Sequence, residues 1–336
     1  MNRWALSMGV SPREPLENVG RMAEAAERHG FEALWYIDFQ LGMKDVYAAM
    51  YLAALHSERL HIGPAVTNMV TRHSTVTANA MAALDELTGG RAMLGVGAGW
   101  SAVLGAGGRP SKLGELREGI EDFRALFTGE EVEVSGTKVQ MTTATRQIPI
   151  YLAAAQPGML RLCGETCDGV ILMGAADPDF CNWQLQYLYE GLERAGRERS
   201  EIVVDLVVTM SVDEDGDKAL NDVRAWATSQ AATFYPWKRM PPAWERFRPE
   251  FEAAEQQYHL SDHLSLHADH KQVVSDEFVR SVAVAGDLET STERLRDLAA
   301  LDIDRITFAL LSGGRLRRME QIATEILPVL EAPAVR

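Results

Sequence analysis

Short apolar runs alternate with amphipathic stretches along most of this 336-residue chain, and this alternation constrains the fold more than any other feature. Apolar runs of about four to eight residues have the length of buried strands, whereas apolar residues that recur every three or four positions indicate helices. Eight strands are predicted, over 4–10, 33–37, 60–66, 92–96, 150–154, 169–173, 202–212 and 305–310. Helices are predicted over 17–29, 45–57, 74–87, 112–127, 292–301 and 316–330, with two more that begin near Pro157 and Pro178.

Strands that alternate with helices pair in parallel, and eight of them favour an α/β fold of the (β/α)8 type, the TIM barrel. A doubly wound protein of two domains is the alternative for a chain of this length. Residues 214–280 interrupt the alternation because they are polar, aromatic-rich and helical in character. We interpret them as an insertion after the seventh strand, at the catalytic end of a single barrel domain that spans 1–336. A small hairpin is expected over 132–141.

The charge balance excludes some classes of partner. The chain has 33 Lys and Arg against 48 Asp and Glu, a formal net charge of −15. This argues against binding to nucleic acid or to an anionic membrane surface, because both need basic patches. No run of about 18 apolar residues is present to span a bilayer. Three cysteines without a CxxC pair, and an N-terminal apolar stretch too short for a secretory signal, predict a soluble cytoplasmic protein.

In barrels of this kind the ligand binds at the carboxyl ends of the strands. The predicted strands end at Asp38, at 65–68, at 97–100, at 154–158 and at Gly174. Several of these residues are Gly or Ala, so the backbone there can approach a flat or phosphorylated ligand closely. Asp38 is either a hydrogen-bond acceptor for a ring or substrate or the cap of a turn. Asn68 is open to the same two interpretations.

Two of these strand ends have the composition of phosphate-binding turns. Residues 153–158 lead from a strand into a helix with Pro157 at its first turn, where exposed amides and the helix dipole suit an anion. A plain turn between strand and helix is the alternative. Gly97 and Gly99 lack the third glycine and the acidic ribose partner of a dinucleotide-binding fingerprint, which disfavours a Rossmann fold.

Histidines and cysteines are the remaining candidates for a metal or catalytic centre. The spacing of His259, His263, His267 and His270 places them on one face of a helix, if the segment is helical. No glutamate stands in the HExxH register, so we expect a solvated or substrate-facing stripe and no metal. Cys163 and Cys167 lie among leucines and are expected to be core thiols.

Three motifs together resemble the bacterial luciferase-like family: residues 63–73 (GPAVTNMVTRH), 84–91 (LDELTGGR) and 94–99 (LGVGAG). Shorter matches at 35–38 (WYID), 151–154 (YLAA) and 167–171 (CDGVI) extend the likeness over nearly the whole chain. Within the family the chain is most similar to the methylenetetrahydromethanopterin reductase-like oxidoreductases, which depend on the deazaflavin coenzyme F420.

The resemblance implies a barrel that binds a flavin-type ring at the strand ends, in front of a non-prolyl cis peptide between Ala65 and Val66. The residues implied to contact the ring are Asp38, Ala65, Val66, Asn68, Ala98 and Gly99. Those implied to surround the phosphate are Ala154, Ala155, Gln156, Gly158 and Gly174. A homodimer is also implied. Since F420 carries a phosphate and a glutamate tail, an acidic protein needs local cations to bind it, and Arg72 and Arg161 are the candidates.

The chain departs from its relatives at three positions. Phe39 stands where some deazaflavin dehydrogenases have a histidine, and Trp100 where they have an acid, which disfavours their sugar-phosphate mechanism. Met69 replaces the proline of the pterin-reductase branch, which disfavours a pterin substrate.

The leading hypothesis is an oxidoreductase that transfers a hydride between F420 and a small organic substrate at a CH–OH, CH–NH or C=C group. Asp38 and Gln40 are predicted to orient the substrate or to manage a proton, and Trp100 to contact the substrate. One alternative is an FMN-dependent luciferase-like monooxygenase that uses reduced flavin and O2. The other is a flavin-binding protein without turnover.

Overall fold

The computed structural model describes residues 3–144, 146–257, 273–310 and 314–331. The strands are β1 (Arg3–Met8), β2 (Ala33–Tyr36), β3 (His61–Pro64), β4 (Leu94–Val96), β5 (Glu131–Val134), β6 (Thr137–Gln140), β7 (Ile150–Ala154), β8 (Gly169–Leu172), β9 (Val203–Val212), β10 (Val284–Gly286) and β11 (Arg305–Ala309). The helices are α1 (Asn18–Arg28), α2 (Val46–Leu55), α3 (Ser74–Thr88), α4 (Trp100–Gly105), α5 (Leu113–Leu126), α6 (Pro157–Thr166), α7 (Pro178–Ala195), α8 (Gly216–Phe234), α9 (Arg248–Gln257), α10 (Asp276–Val282), α11 (Leu288–Ala299), α12 (Arg315–Gln321) and α13 (Leu327–Glu331).

Among the described residues, eight parallel strands are arranged in the order β3-β2-β1-β11-β9-β8-β7-β4. Two isolated bridges, Ile62–Ala92 and Thr67–Val96, join the two ends of this path and close the barrel. The predicted α/β (β/α)8 barrel is therefore confirmed. The short strand β10 pairs with the end of β9, and β5 and β6 form the expected antiparallel hairpin.

The barrel closes where glycine allows β3 and β4 to approach. A Cβ atom on Gly63 would overlap the carbonyl oxygen of Met93, and one on Gly95 would overlap that of Pro64. Backbone hydrogen bonds run between the strands instead, with the Met93 amide donating to the Ile62 oxygen at 2.9 Å. The glycines of the GPAV and LGVGAG motifs thus have a structural role in closing the barrel.

A buried ion pair spans the lower interior of the barrel. Asp205 and Arg305 are register partners on β9 and β11, and Arg305 Nε lies 3.3 Å from Asp205 Oδ2. Asp205 also accepts hydrogen bonds from Trp35 Nε1 at 2.9 Å and from Thr307 Oγ1 at 2.6 Å. Arg305 donates in turn to the hydroxyl of Tyr151 at 3.1 Å. This network joins four strands and closes the floor beneath the candidate site.

The insertion after the seventh barrel strand, β9, has an aromatic core of its own. Phe234, Trp244, Phe251 and Phe278 pack edge to face with ring centroids 5.5 to 6.3 Å apart. Phe180, on α7 of the barrel, joins this cluster at 4.5 Å from Trp244. The insertion is therefore packed against the carboxyl end of β8. No helix of the described segments is long and apolar enough to cross a membrane.

One local expectation is corrected. The glycines at 97, 99, 105, 107 and 108 suggest a Gly-rich loop through Gly108, but the segment contains the helix α4. The residues of this helix, WSAVLG, hold a single glycine at the end, and Ala102 and Val103 are buried. The glycines therefore border a short helix instead of forming one continuous loop.

Candidate cofactor and active site

Small residues line the barrel above the ion-paired floor. Side chains alternate along a strand, so the inward positions are found by counting in twos from the buried interior residues. Ala5, Tyr151 and Thr307 point into the interior. Two residues farther along each strand, the inward positions are Ser7, Ala153 and Ala309. Ser7 and Ala309 are direct register partners. The inward side chains at the mouth of the barrel are therefore smaller than those at its floor.

The loop after β3 forms one wall of this space. The peptide bond between Ala65 and Val66 is cis, at the position implied by the resemblance. Backbone bonds fix the loop on both sides, with the Ala65 amide donating to the Tyr36 oxygen at 2.7 Å and the Thr67 amide to the Gly95 oxygen at 3.0 Å. Ala65 and Val66 pack with the interior cluster of the barrel.

Gly97 faces Val66 across the end of β4. A Cβ atom at this position would lie 2.7 Å from Val66 Cγ2 and 3.7 Å from the Cβ of Ala153. A larger residue would therefore push the valine out of place. The two loops form a cradle whose shape depends on the absence of a side chain at Gly97.

Asp38 is buried at the end of β2 and is paired. Its Oδ2 accepts hydrogen bonds from Thr67 Oγ1 at 2.8 Å and from Arg72 Nη1 at 2.6 Å. Arg72 also reaches Asp45 Oδ2 at 3.1 Å and lies over the ring of Tyr47, 4.7 Å from its centroid. Asp38 thus joins β2 to the loop after β3, and its predicted contact with a ring or a substrate stays a prediction.

Asn68 forms a turn. Its Oδ1 accepts hydrogen bonds from the amides of Val70 and Thr71, at 3.0 and 2.8 Å, and from the hydroxyl of Thr71 at 3.1 Å. The turn interpretation of this residue is therefore the one found in the structure. Its amide nitrogen is the group left to contact a ring.

The loop after β4 brings Ala98, Gly99 and Trp100 to the mouth. Gly99 precedes the first residue of α4, and that residue, Trp100, is 46% exposed. Gln40 Nε2 donates to the carbonyl of Ala102 at 2.8 Å and so connects the loop after β2 to α4. Gln40 thus lies against α4, the helix that begins with Trp100, and the roles predicted for these two residues stay predictions.

The predicted phosphate residues meet at the ends of β7 and β8. α6 begins with Pro157, and its first intrahelical bond runs from the Leu160 amide to the Gln156 oxygen at 3.0 Å. The amides of Gly158 and Met159 precede that bond and have no acceptor within the helix. Ala154, Ala155, Gln156 and Gly158 therefore surround one helix N-terminus, and Gly174 lies at the end of the neighbouring strand.

Gln184 is a site residue that the sequence reasoning missed. It is fully buried on α7, and its Nε2 donates to the carbonyl oxygens of Met173 at 2.7 Å and Ala155 at 3.2 Å. Its Oε1 has no hydrogen-bond partner in the described part of the chain. A glutamine at helical spacing between Phe180 and Leu188 on an apolar stripe is the signal that could have identified it.

The two arginines expected to offset cofactor charge are already paired. Arg72 is bound to Asp38 and Asp45. Arg161 Nε lies 2.6 Å from Glu190 Oε2, and its guanidinium lies over Tyr187. Both guanidinium groups thus already have carboxylate partners, and a role for either of them toward a cofactor anion stays a prediction.

A metal centre finds no support in the described residues. Across 3–144, 146–257, 273–310 and 314–331, no group of three or more His, Cys, Asp or Glu side chains is placed to hold an ion. The stripe formed by His259, His263, His267 and His270 lies outside the described residues. Cys163 and Cys167 are buried, as expected of core thiols.

Comparison with known proteins gives the family. The sequence profile described as luciferase-like monooxygenase matches residues 3–305. The 5,10-methylenetetrahydromethanopterin reductase of Methanolobus tindarius is 32% identical over 215 residues, which cover 62% of this chain and 65% of that protein. The reductase of the same name from Methanopyrus kandleri is 27% identical, with 96% and 98% covered. The structure of the coenzyme F420-dependent tetrahydromethanopterin reductase from Methanopyrus kandleri superposes with a TM-score of 0.79 at 23% identity, over 98% of this chain and 100% of that one. Because the profile spans nine-tenths of its length, the chain belongs to the bacterial luciferase-like family of oxidoreductases.

Proposed function

We propose that this protein transfers a hydride between coenzyme F420 and a small organic substrate. The observation that carries the proposal is the pairing of two features at one barrel mouth. Where Val66 meets Gly97, the two loops present an apolar side chain and bare backbone to a flat ring, and the N-terminus of α6 offers amides for a phosphate. A ring and a phosphate on one ligand describe a flavin or a deazaflavin.

The residues present fit such a group. A Cβ atom at Gly97 would displace Val66, so the surface against the ring depends on the glycine, and the buried carboxamide of Gln184 fixes the carbonyls of both strands that border the phosphate site. We assign the ring to Asp38, Ala65, Val66, Asn68, Ala98 and Gly99, and the phosphate to Ala154, Ala155, Gln156, Gly158 and Gly174. When bound, F420 supplies the carbon that accepts or donates the hydride.

The protein's own contribution is positioning. Asp38 holds Arg72 and Thr67, and this fixes the loop that carries the Ala65–Val66 peptide behind the ring. Trp100 and Gln40 stand on the open side, where they orient the substrate over the ring. Correct orientation of two reactants is worth several kcal/mol of the barrier in well-fitted sites.

The FMN-dependent monooxygenase is the second candidate, because the family profile itself is described as luciferase-like monooxygenase. FMN would use the same ring cradle and the same helix N-terminus. The two candidates differ beyond the phosphate, where F420 continues into a glutamate tail and FMN ends. They also differ in their reaction with O2, because a deazaflavin lacks the ring nitrogen of a flavin at the reactive position.

The test is a fluorescence titration of cofactor-free protein with F420 and with FMN. We expect the lower dissociation constant for F420. A Gly97→Ala variant is expected to weaken binding, because its Cβ would displace Val66 into the ring site. Gly114→Ala on α5 is the matched control, since a Cβ there meets nothing within 4 Å.

Three results would overturn the proposal. Micromolar binding of FMN without binding of F420, together with O2 consumption by the reduced FMN complex, would establish the monooxygenase. Retention of a cofactor through purification without redox activity on any alcohol, imine or enone would favour a binding protein without turnover. An affinity unchanged in Gly97→Ala would refute the location of the ring.

The proposal includes a homodimer formed through α2 and α3. The sequence of α2, VYAAMYLAAL, has no charged residue, so its outer face is as apolar as its inner one. Leu55 on α2 and Val76 on α3 are 66% and 57% exposed. Tyr51 donates to the carbonyl of Ala80 at 3.1 Å and joins the two helices into one face. On a chain of charge −15, an uncharged face is where two copies meet with least repulsion.

A further inference from the structure

We infer that Lys238 and Arg239, in the insertion, bind the anionic tail of the cofactor beyond its phosphate. The inference rests on the proposed F420 function and deepens it. It assigns to the insertion a role in choosing the cofactor.

The backbone of this dibasic pair is held on both sides. Before it, the carbonyl of Trp237 accepts a hydrogen bond from Arg248 Nη1 at 2.6 Å. The Trp237 ring packs in the aromatic cluster, 6.4 Å from that of Phe180. After the pair, the side chain of Met240 is buried. The two cations are thus displayed from a fixed turn instead of a free loop.

The turn lies next to the phosphate site. Gln156, the residue before α6, places its Nε2 3.5 Å from the carbonyl oxygen of Arg239. Phe180 lies against the other side of the site, because a Cβ atom on Gly174 would be 3.1 Å from its ring. Lys238 and Arg239 are therefore fixed in relation to both strand ends that border the phosphate.

The side chains of the pair are exposed, and within the described ranges neither makes an ion pair. Other arginines of the insertion are committed. Arg246 binds Glu277 at 2.9 Å, and Arg248 binds Glu245 at 2.8 Å. The chain as a whole is negative, with 15 more acidic than basic residues. Two adjacent cations without acidic partners make this part of the mouth locally positive. Such a region attracts an anion.

The chemistry of the tail matches this arrangement. A phosphate held at α6 uses the amides of Gly158 and Met159, and the chain of carboxylates attached to it then needs cations farther from the barrel axis. Lys238 and Arg239 supply two. FMN ends at its phosphate, so the pair would contribute to binding of the tailed cofactor and not to binding of FMN.

The test measures dissociation constants by fluorescence titration of the full chain. The probes are F420 with several tail glutamates and the deazaflavin that lacks both phosphate and tail. The variant Lys238→Ala/Arg239→Ala removes both cations, and Lys238→Glu/Arg239→Glu reverses them. Lys138→Glu is the matched control, because Lys138 is an exposed, ion-paired lysine on the β5–β6 hairpin, apart from the strand ends.

For tailed F420 we expect Lys238→Ala/Arg239→Ala to raise the dissociation constant about 3- to 30-fold, because the complex loses two exposed ion pairs. The reversed pair is expected to raise it further and to flatten its dependence on salt. Binding of the tail-free deazaflavin and the melting temperature should not change in either variant. Lys138→Glu should bind both probes as the unmodified protein does.

The two proposals fail in different ways. If the unmodified protein binds both probes and the reversed pair binds tailed F420 with unchanged affinity, the tail site is refuted and the F420 function stands. Equal loss of affinity for both probes would also refute it, since the pair would then act on the ring site. If the unmodified protein binds neither probe, the proposed function is refuted and the tail site with it.

Discussion

Replacing Asp205 by leucine should leave an unpaired cation on the floor of the barrel. Asp205 and Arg305 are both buried, and the carboxylate also accepts the hydrogen bonds of Trp35 and Thr307. Removing one partner of a buried ion pair costs about 3–5 kcal/mol, because the remaining charge keeps its desolvation penalty. For a protein whose total stability is about 5–15 kcal/mol, Asp205→Leu is expected to come close to unfolding the chain.

The matched variant is Asp205→Leu/Arg305→Met, which removes both charges at once. The double variant leaves no buried charge, but Trp35 and Thr307 still lose their acceptor, so it should recover part of the lost stability. Urea unfolding at pH 7, followed by circular dichroism, measures both. A loss below about 1 kcal/mol in Asp205→Leu, or a double variant no more stable than the single one, would refute the reasoning.

The single variant Arg305→Met tests whether the free energy of unfolding rises or falls with pH. Burial raises the pKa of Asp205, and Arg305, Thr307 and Trp35 oppose that rise. Without Arg305 the rise should be larger, so the folded protein holds a proton that the unfolded chain releases near its ordinary pKa of about 3.9. The variant should therefore lose stability relative to the unmodified protein as pH rises from the already raised pKa of Asp205 in the unmodified protein to its higher pKa in the variant, and lose no more above it. Relative stability that increases with pH over this range would contradict the assignment.

Two further predictions concern the mouth and the dimer face. Gly174→Ala should lose about 1–3 kcal/mol in urea unfolding, because φ is +130° there and the new Cβ would lie 3.1 Å from the Phe180 ring. Gly216→Ala, where a Cβ meets nothing within 4 Å, should lose none, and equal losses would contradict the argument. Leu55→Glu should shift the protein to monomers in sedimentation velocity, because it buries a carboxylate in the proposed interface. Leu288→Glu, an exposed leucine on α11, is its control, and a dimer that survives Leu55→Glu would refute that interface.

The elements that the sequence predicted best are those with local signals. The strand predicted over 150–154 is β7, with the same bounds. The helices expected near Pro157 and Pro178 begin at those residues, because proline fits the first helical position. The helix α4 was missed because a six-residue helix between glycines is too short to show a period. Within 214–280 the helical character was visible, but its boundaries were not.

The interactions that the sequence did not predict depend on distant residues. Asp205 and Arg305 are 100 positions apart, and Arg305 directly follows Asp304, so nothing local indicated that it pairs with Asp205. Arg72 was expected to serve an anionic ligand. The fold instead brings Asp38 within 2.6 Å of it, across 34 residues of sequence, and a nearby carboxylate is a stronger partner than a ligand farther out. The sequence shows that Arg72 and Asp205 are charged, but it does not show which residue each of them contacts.

The two ends of the barrel differ in how their polar groups are satisfied. On the floor, Asp205 is matched by Arg305 and by two neutral donors within the chain. At the mouth, the Oε1 of Gln184 is buried without a partner in the described residues, and the first amides of α6 lack intrahelical acceptors. An unmade hydrogen bond of a buried group costs about 1–3 kcal/mol, and an unpaired group at the mouth lies where a bound ligand can recover that free energy. A cofactor bound there would therefore stabilise the folded chain as well as serve the reaction.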